Sequence, residues 1–419
     1  MSFASLGLHP SEILLPAPSV SPETWACVAC DQFTSEPEYW RKVEALVGDK
    51  PSTLRLMLPE CDLDRSGERI PQIHAAMREA LQSALLLPAV ENGFILCERT
   101  TPSGVRLGLV GAVDLEAYDF TPGSLPLIRP TEQTISSRLP ARLAIRRGAP
   151  LELSHILILL DDPNRTVLEP LRDRKNSLRP LYDVNLMMDG GHLSGWAVDS
   201  PADLSALESA MDRLCSALGE HPFLMAVGDG NHSLATAKAY WEEIKPTLPA
   251  DARRTHPARY ALCEIENIHD PALMFEPIHR LLTGVSETAL LQAWQAYAAA
   301  RGMTLSPQGA GHSFTLVSAR GAQNITVAHP EGAIPCETLQ RFLDAFLAEH
   351  PEAGIDFIHG EASLRALAER EGNLGFLLPA IDKRTFFADV KKLGVLPRKT
   401  FSMGEAYEKR YYMECRRIV

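Results

Sequence analysis

The period of the apolar positions changes repeatedly along the 419-residue chain, and each change marks an element. Tyr39, Val43 and Leu46 recur at helical spacing behind Pro37, which predicts a helix over 37–47. A longer amphipathic run predicts a helix over 70–87, and residues 54–58 read as a short strand. Residues 94–99 and 105–113 face each other across Pro102-Ser103-Gly104, the pattern of a hairpin. Residues 155–160 are continuously apolar, like a strand buried on both faces, and end at the turn signal Asp161-Asp162-Pro163-Asn164. A second hairpin, 182–188 with 192–198, turns at Asp189-Gly190-Gly191. A helix over 202–218, a strand over 223–227, a helix over 234–244 and an alternating strand over 258–266 follow.

Near Thr283 a second series begins. It predicts a helix over 287–301, strands at 313–317 and 324–327, and a helix over 337–349. Strands at 355–359 and 374–378 follow, with one helix between them and another after them. Hairpins mixed with strand–helix alternation predict an α/β or α+β fold with a mixed sheet. The expected division is a main domain over 1–282 and a smaller C-terminal α/β unit over 283–419 that returns a basic segment to the site. No fixed-period repeat or low-complexity tract interrupts this organisation.

Composition narrows the class without naming a function. Apolar residues make up 45% and charged residues 22%, which excludes a disordered chain, a collagen-like fibre and a coiled-coil rod. The net charge of −12 argues against nucleic acid as a partner, because phosphate neutralisation needs a basic surface. That charge is unevenly spread. Residues 129–180 carry ten Lys and Arg against six Asp and Glu, and residues 382–419 carry ten against five. The two stretches could face one anionic ligand if they meet in space.

No Lys or Arg precedes Arg41, and the longest apolar runs fall short of the ~18 residues of a membrane span. Eight scattered cysteines read as small buried hydrophobes of a reducing compartment. The expectation is a cytoplasmic protein without a membrane partner. Cys27-Val28-Ala29-Cys30 is the single CxxC, and no second pair supplies a zinc site. A redox protein built on that pair is the third and weakest functional reading; unreactive thiols at Cys27 and Cys30 would remove it.

The strongest chemical signal lies at 223–238, where the apolar strand runs into Gly228-Asp229-Gly230-Asn231-His232-Ser233 and a helix begins at once. Gly228 and Gly230 permit backbone conformations closed to other residues. The first turn of the helix offers N–H groups and the positive end of a dipole, suited to a phosphate or carboxylate. A Walker loop is excluded because no Gly-Lys-Ser/Thr follows, and Ser233 stands where a dinucleotide fingerprint needs its third glycine. An ordinary strand–helix turn capped by Asp229, Asn231 or Ser233 is the bland alternative, but this density of polar side chains exceeds capping needs.

The turn resembles the Asp-Gly-His-His-Arg signature of the DUF1015 family, a bacterial and archaeal domain of unknown function. Four further segments are similar to the family in the same order. These are Cys30-Asp31-Gln32-Phe33-Thr34-Ser35-Glu36-Pro37-Glu38-Tyr39-Trp40, Arg129-Pro130-Thr131-Glu132-Gln133-Thr134, Pro277-Ile278-His279-Arg280 and Leu396-Pro397-Arg398-Lys399-Thr400. The signature is also similar to a motif of the ParB/sulfiredoxin superfamily, which includes nucleotide-binding proteins and a free-serine kinase. The resemblance implies a phosphotransfer site using ATP or ADP with magnesium, and no protein-held metal. Glu132, Asp229 and His232 would be catalytic, with Glu132 as general base. Gly228, Gly230, Asn231, Ser233, His279, Arg280, Lys399 and Thr400 would bind the cofactor, with Lys399 as a phosphate cation.

Departures from the family pattern bear on that implication. Ser233 replaces the family's arginine, Asn231 its first histidine, and Thr131 stands where the family has histidine. The resemblance therefore leaves two functions open. One is a nucleotide-dependent phosphotransferase acting on a small hydroxylated metabolite; the other is a non-catalytic nucleotide- or anion-binding regulatory module. His279, Lys399 and Glu132 each have structural readings as well, as a packing histidine, a solvated lysine and a loop ion pair.

Overall fold

The computed structural model describes residues 2–134 and 139–419. The chain divides into two compact units, Met1–Met274 with Gly404–Val419, and Phe275–Met403. Both combine helices with sheet, and the sheet of the first is mixed.

Among the described residues, the first unit is built on a twelve-stranded sheet. Its path runs Ile128–Arg129, Met225–Asp229, Leu157–Leu160, Tyr260–Asn267, Gly104–Asp114, Leu86–Thr101, Ser11–Pro16, Cys415–Arg417 and Leu151–Leu153. Leu157, Ile158, Leu159 and Leu160 are completely buried, so a continuous apolar run lies where both faces are covered. Met225–Asp229 lies antiparallel to Leu157–Leu160 and parallel to Ile128–Arg129. The helix Asn231–Ile244 then packs Leu234, Ala237 and Trp241 on the face carrying Ile158, Leu160 and Val227. Helical spacing thus anchors the helix to the strand that precedes it.

The end of the chain is woven into this unit. Cys415–Arg417 sits between Ser11–Pro16 and Leu151–Leu153, and Tyr411–Tyr412 pairs with Cys27–Val28. Residues 407–414 are thereby drawn over a buried ionic cluster. Arg410 pairs with Glu264 and, at 2.6 Å, with Glu414, while its Nε donates to the Ser154 carbonyl at 2.7 Å. Arg106 lies 2.7 Å from Glu266. Such pairs add little net stability, yet removing one partner strands a buried charge.

The second unit is a seven-stranded antiparallel sheet among the described residues. Its path runs Thr304–Ser306, Gly321–Ala328, His312–Ser318, Asn373–Leu377, Phe275–Thr283 and Gly354–His359, with Phe401–Met403 also on Phe275–Thr283. Trp294 of the helix Glu287–Ala299 stacks at 4.8 Å on Phe342 of the helix Pro335–Glu349.

Three local expectations differ from the structure. Residues 54–58 are not a strand but enter through a short 3₁₀ turn, Thr53–Arg55, because the Ser52 and Thr53 hydroxyls bond the Trp25 carbonyl at 3.2 and 2.8 Å. The helix expected over 70–87 spans Ser66–Gln82, and Leu86 already opens a strand. Phe275–Thr283 is one unbroken strand, so the units divide at Phe275 rather than at 283, and residues 404–419 belong to the first. No helix among the described residues is long and apolar enough to cross a membrane.

Candidate functional site

The ladder between Met225–Asp229 and Leu157–Leu160 shifts register between Val227 and Asp229, so Gly228 falls at an irregularity that re-aims the strand end. Gly230 follows at φ +76°, and a Cβ there would lie 3.1 Å from the Ile156 Cα. Glycine is required twice over, by the left-handed backbone and by the close approach. The helix begins with Asn231 at the next position.

Asn231 ties this turn to the Arg129–Thr134 segment. Its Oδ1 accepts from the Thr131 N–H at 3.0 Å and the Glu132 N–H at 3.5 Å. Its Nδ2 donates to the Thr131 hydroxyl at 3.1 Å, and that hydroxyl donates to the Val227 carbonyl at 2.5 Å. Both side chains are buried. One side-chain amide thus serves as acceptor and donor together.

Asp229 stands at the strand end with its Oδ1 accepting from the Gly230 N–H at 2.8 Å and its Oδ2 2.9 Å from the Lys409 ammonium. Burial alone would raise the carboxyl pKa. The Lys409 charge and hydrogen bond, the nearby His155 and the Gly230 N–H outweigh it and hold Asp229 below the ordinary carboxylate range. Lys409 is itself positioned by buried Arg99, whose guanidinium donates to the carbonyls of Lys409 and Tyr407 at 2.9 Å each. Arg99 also donates to the Gly190 carbonyl and lies 4.7 Å over the Tyr411 ring.

A second polar chain runs beside the first. His155 contacts the Ser233 hydroxyl through Nε2 at 2.9 Å and the Tyr412 hydroxyl through Nδ1 at 2.7 Å. Tyr412 donates in turn to the Cys30 thiol at 3.2 Å, and Asp31 lies 3.6 Å from the His155 Nε2. Burial works against a charged imidazole, but Asp31, the Cys30 hydrogen bond and Asp229 prevail and raise its pKa to about 10. The raised pKa favours the imidazolium, the form that donates from both nitrogens and does not serve as a general base for Ser233.

His155 and Ser233 also border a cavity of about 150 Å³. Leu56, Leu58, Leu63, Met77, Ile145 and Leu151 supply much of its apolar wall, and Tyr412, Cys30 and Thr236 also line it.

Of the residues singled out in the sequence, Gly228, Asp229, Gly230, Asn231, His232 and Ser233 form one turn, and the Glu132 N–H reaches it. The His232 carbonyl accepts from the Thr236 hydroxyl at 2.7 Å. His279, Arg280, Lys399 and Thr400 belong to the second unit, where they gather together. His279 lies in the strand Phe275–Thr283, and its Nδ1 accepts from the Leu378 N–H at 3.2 Å. Burial lowers its pKa to about 4. Arg280 donates to the carbonyls of Lys399 at 2.9 Å and Arg398 at 3.4 Å, and the Ile278 N–H bonds the Thr400 carbonyl at 3.5 Å. Lys399 holds a left-handed φ of +56° in that cradle.

Sequence reasoning did not single out Lys409, His155 or Tyr412. The basic balance of 382–419 was the available signal for Lys409, and Asp31 already lay within a family-like segment. Among the described residues, no group of three or more His, Cys, Asp or Glu side chains could hold a metal ion.

The family described as "Protein of unknown function (DUF1015)" matches residues 11–346. The chain belongs to the DUF1015 family. No curated protein matches this DUF1015 chain. Similar solved structures include a free serine kinase in complex with AMP, 13% identical over 73% of this chain and 90% of that one, with a TM-score of 0.38. A conserved hypothetical protein from Pyrococcus furiosus is 12% identical over 73% and 90%, with a TM-score of 0.35. SbnI with a C-terminal truncation, from Staphylococcus aureus, is 9% identical over 70% and 82%, with a TM-score of 0.37.

Proposed function

We propose that this DUF1015 chain is a cytosolic, nucleotide-dependent phosphotransferase acting on a small hydroxylated metabolite. One observation carries the reading: Asp229, 2.9 Å from Lys409, stands immediately before the N-terminus of Asn231–Ile244, and His155 reaches Ser233 in that helix's first turn at 2.9 Å. A helix N-terminus favours phosphate oxygens through its N–H groups and its dipole. The Lys409 ammonium has three donors, so it can pair with a phosphate oxygen while keeping Asp229. In this reading Lys409 takes the phosphate-pairing role for which the turn itself lacks an arginine, because Ser233 occupies that position.

The acceptor's hydroxyl oxygen attacks the terminal phosphorus of ATP or ADP. A new O–P bond forms as the bond to the bridging oxygen breaks, and the shortened nucleotide leaves with that electron pair. The hydroxyl proton passes to a carboxylate, assigned here to Glu132, whose main chain is tied to the turn through Asn231. Magnesium belongs to this scheme as the partner of the nucleotide phosphates.

The second reading, a binding module without turnover, is favoured by the engagement of the Ser233 hydroxyl with His155 rather than an arginine facing the ligand. Phosphorus NMR of ATP or ADP incubated with magnesium, the chain and a panel of alcohols, sugars and amino acids separates the two. A new phosphomonoester resonance supports the phosphotransferase. Nucleotide binding with no product from any acceptor supports the module.

A further inference from the structure

The cavity beside the turn has a composition unlike that of a site for a sugar or another heavily hydroxylated molecule. Its volume is about 150 Å³, and most of its wall is aliphatic. Apolar cavities of about that size accept a benzene-sized ligand. The charged groups on its wall have partners: Arg142 pairs with Glu60, Arg146 lies 2.7 Å from Glu152, and the His155 Nε2 lies 3.6 Å from Asp31. None of these pairs calls for a charged ligand. A sugar would bury hydroxyls against leucines that offer no hydrogen bond. Beyond these pairs, the polar lining includes a hydrogen-bonded chain in which His155 lies 2.9 Å from the Ser233 hydroxyl and 2.7 Å from the Tyr412 hydroxyl.

We propose that this cavity binds a small neutral alcohol with an apolar body of roughly six to ten non-hydrogen atoms, its hydroxyl directed to the Ser233–His155–Tyr412 chain. As an acceptor pocket it rests on the phosphotransferase reading; as a binding pocket it stands independently of it. That polar chain includes Ser233, which lies in the first turn of the helix that follows Asp229. An alcohol bound there has its hydroxyl on the side of the cavity that borders the phosphate turn. The aliphatic wall selects its body, and the polar chain selects its hydroxyl.

The test is a calorimetric titration of the full chain with benzyl alcohol, with glycerol as control, beside a separate titration with ADP. Benzyl alcohol is expected to bind and glycerol not. Ala149→Leu, which adds bulk at the cavity wall, is expected to weaken benzyl alcohol at least tenfold and leave ADP unchanged. Leu63→Ala, which enlarges the same cavity, is expected to shift preference toward 3-phenylpropanol, and it carries the test if the first variant does not fold. Equal benzyl alcohol affinity in wild type and Ala149→Leu, or no binding to wild type, overturns the pocket. Alcohol binding without ADP binding leaves the pocket standing and removes the phosphotransferase reading; ADP binding without alcohol binding does the reverse.

Discussion

The ammonium of Lys409 lies 2.9 Å from the carboxylate of Asp229, 180 positions earlier in the chain. The pair joins the chain's C-terminal return to the strand–helix turn. The side chain of Lys409 is 8% exposed and that of Asp229 is 25% exposed, so the pair is partly shielded from water. Asp229→Asn should cost about 2 kcal/mol, because it leaves the Lys409 charge without its partner. The effect is pH-dependent. Asp229 titrates below the ordinary carboxylate range in the folded chain, so its contribution is complete above a pH of about 4 and disappears as pH falls through the folded value. Urea unfolding of both proteins should therefore converge in acid.

His155 behaves in the opposite sense. Its pKa rises to about 10 in the folded chain, so its stabilising contribution is complete below the unfolded value of about 6.5 and is lost as pH rises through about 10. The melting-temperature difference between wild type and His155→Gln should be constant below about pH 6 and shrink steadily toward pH 10. A difference that grows with pH would show a neutral imidazole.

Arg99 is expected to control Lys409 without lying in the turn. Burial, reinforced by Arg106, pulls its pKa down to about 10, which leaves it charged at neutral pH. Its guanidinium satisfies the carbonyls of Gly190, Tyr407 and Lys409. Arg99→Met strands all three acceptors and should destabilise the chain by about 3 kcal/mol. Hydrogen exchange should also accelerate across 407–411, because the carbonyl anchors of that segment are lost.

Gly230→Ala tests the turn itself. A left-handed φ of +76° costs a non-glycine residue about 1–2 kcal/mol. The added Cβ also meets the Ile156 Cα at 3.1 Å, so the neighbouring backbone must give by a few tenths of an ångström. Chemical denaturation should show at least that loss, with weaker ADP binding in the same variant.

Much of the fold was legible because periodic patterning and burial agree. The helix read over 37–47 is present as Pro37–Val47, and the hairpin at 182–198 appears as Arg179–Asn185 with His192–Val198. The run 155–160 reads as a doubly buried strand because a central position covers both faces of Leu157–Leu160. The strands Ser11–Pro16 and Cys415–Arg417 were not legible. Their pairing joins opposite ends of the chain, and Cys415–Arg417 has only three residues on which to show a period. The turn at 228–233 was visible because glycine and polar density are local signals. Lys409 and His155 were hidden because neither carries a motif, and only the folded chain brings them to Asp229 and Ser233.

The central claim is that nucleotide phosphate binds at the Asp229–Ser233 turn with Lys409 as its cation. Isothermal titration of the full chain with magnesium ADP, in wild type and in Lys409→Met, tests it most directly. Saturable binding to wild type, weakened at least tenfold in Lys409→Met, is the predicted result; such a loss is about 1.4 kcal/mol or more. Undiminished binding in a folded Lys409→Met chain, or no binding to wild type, would contradict it.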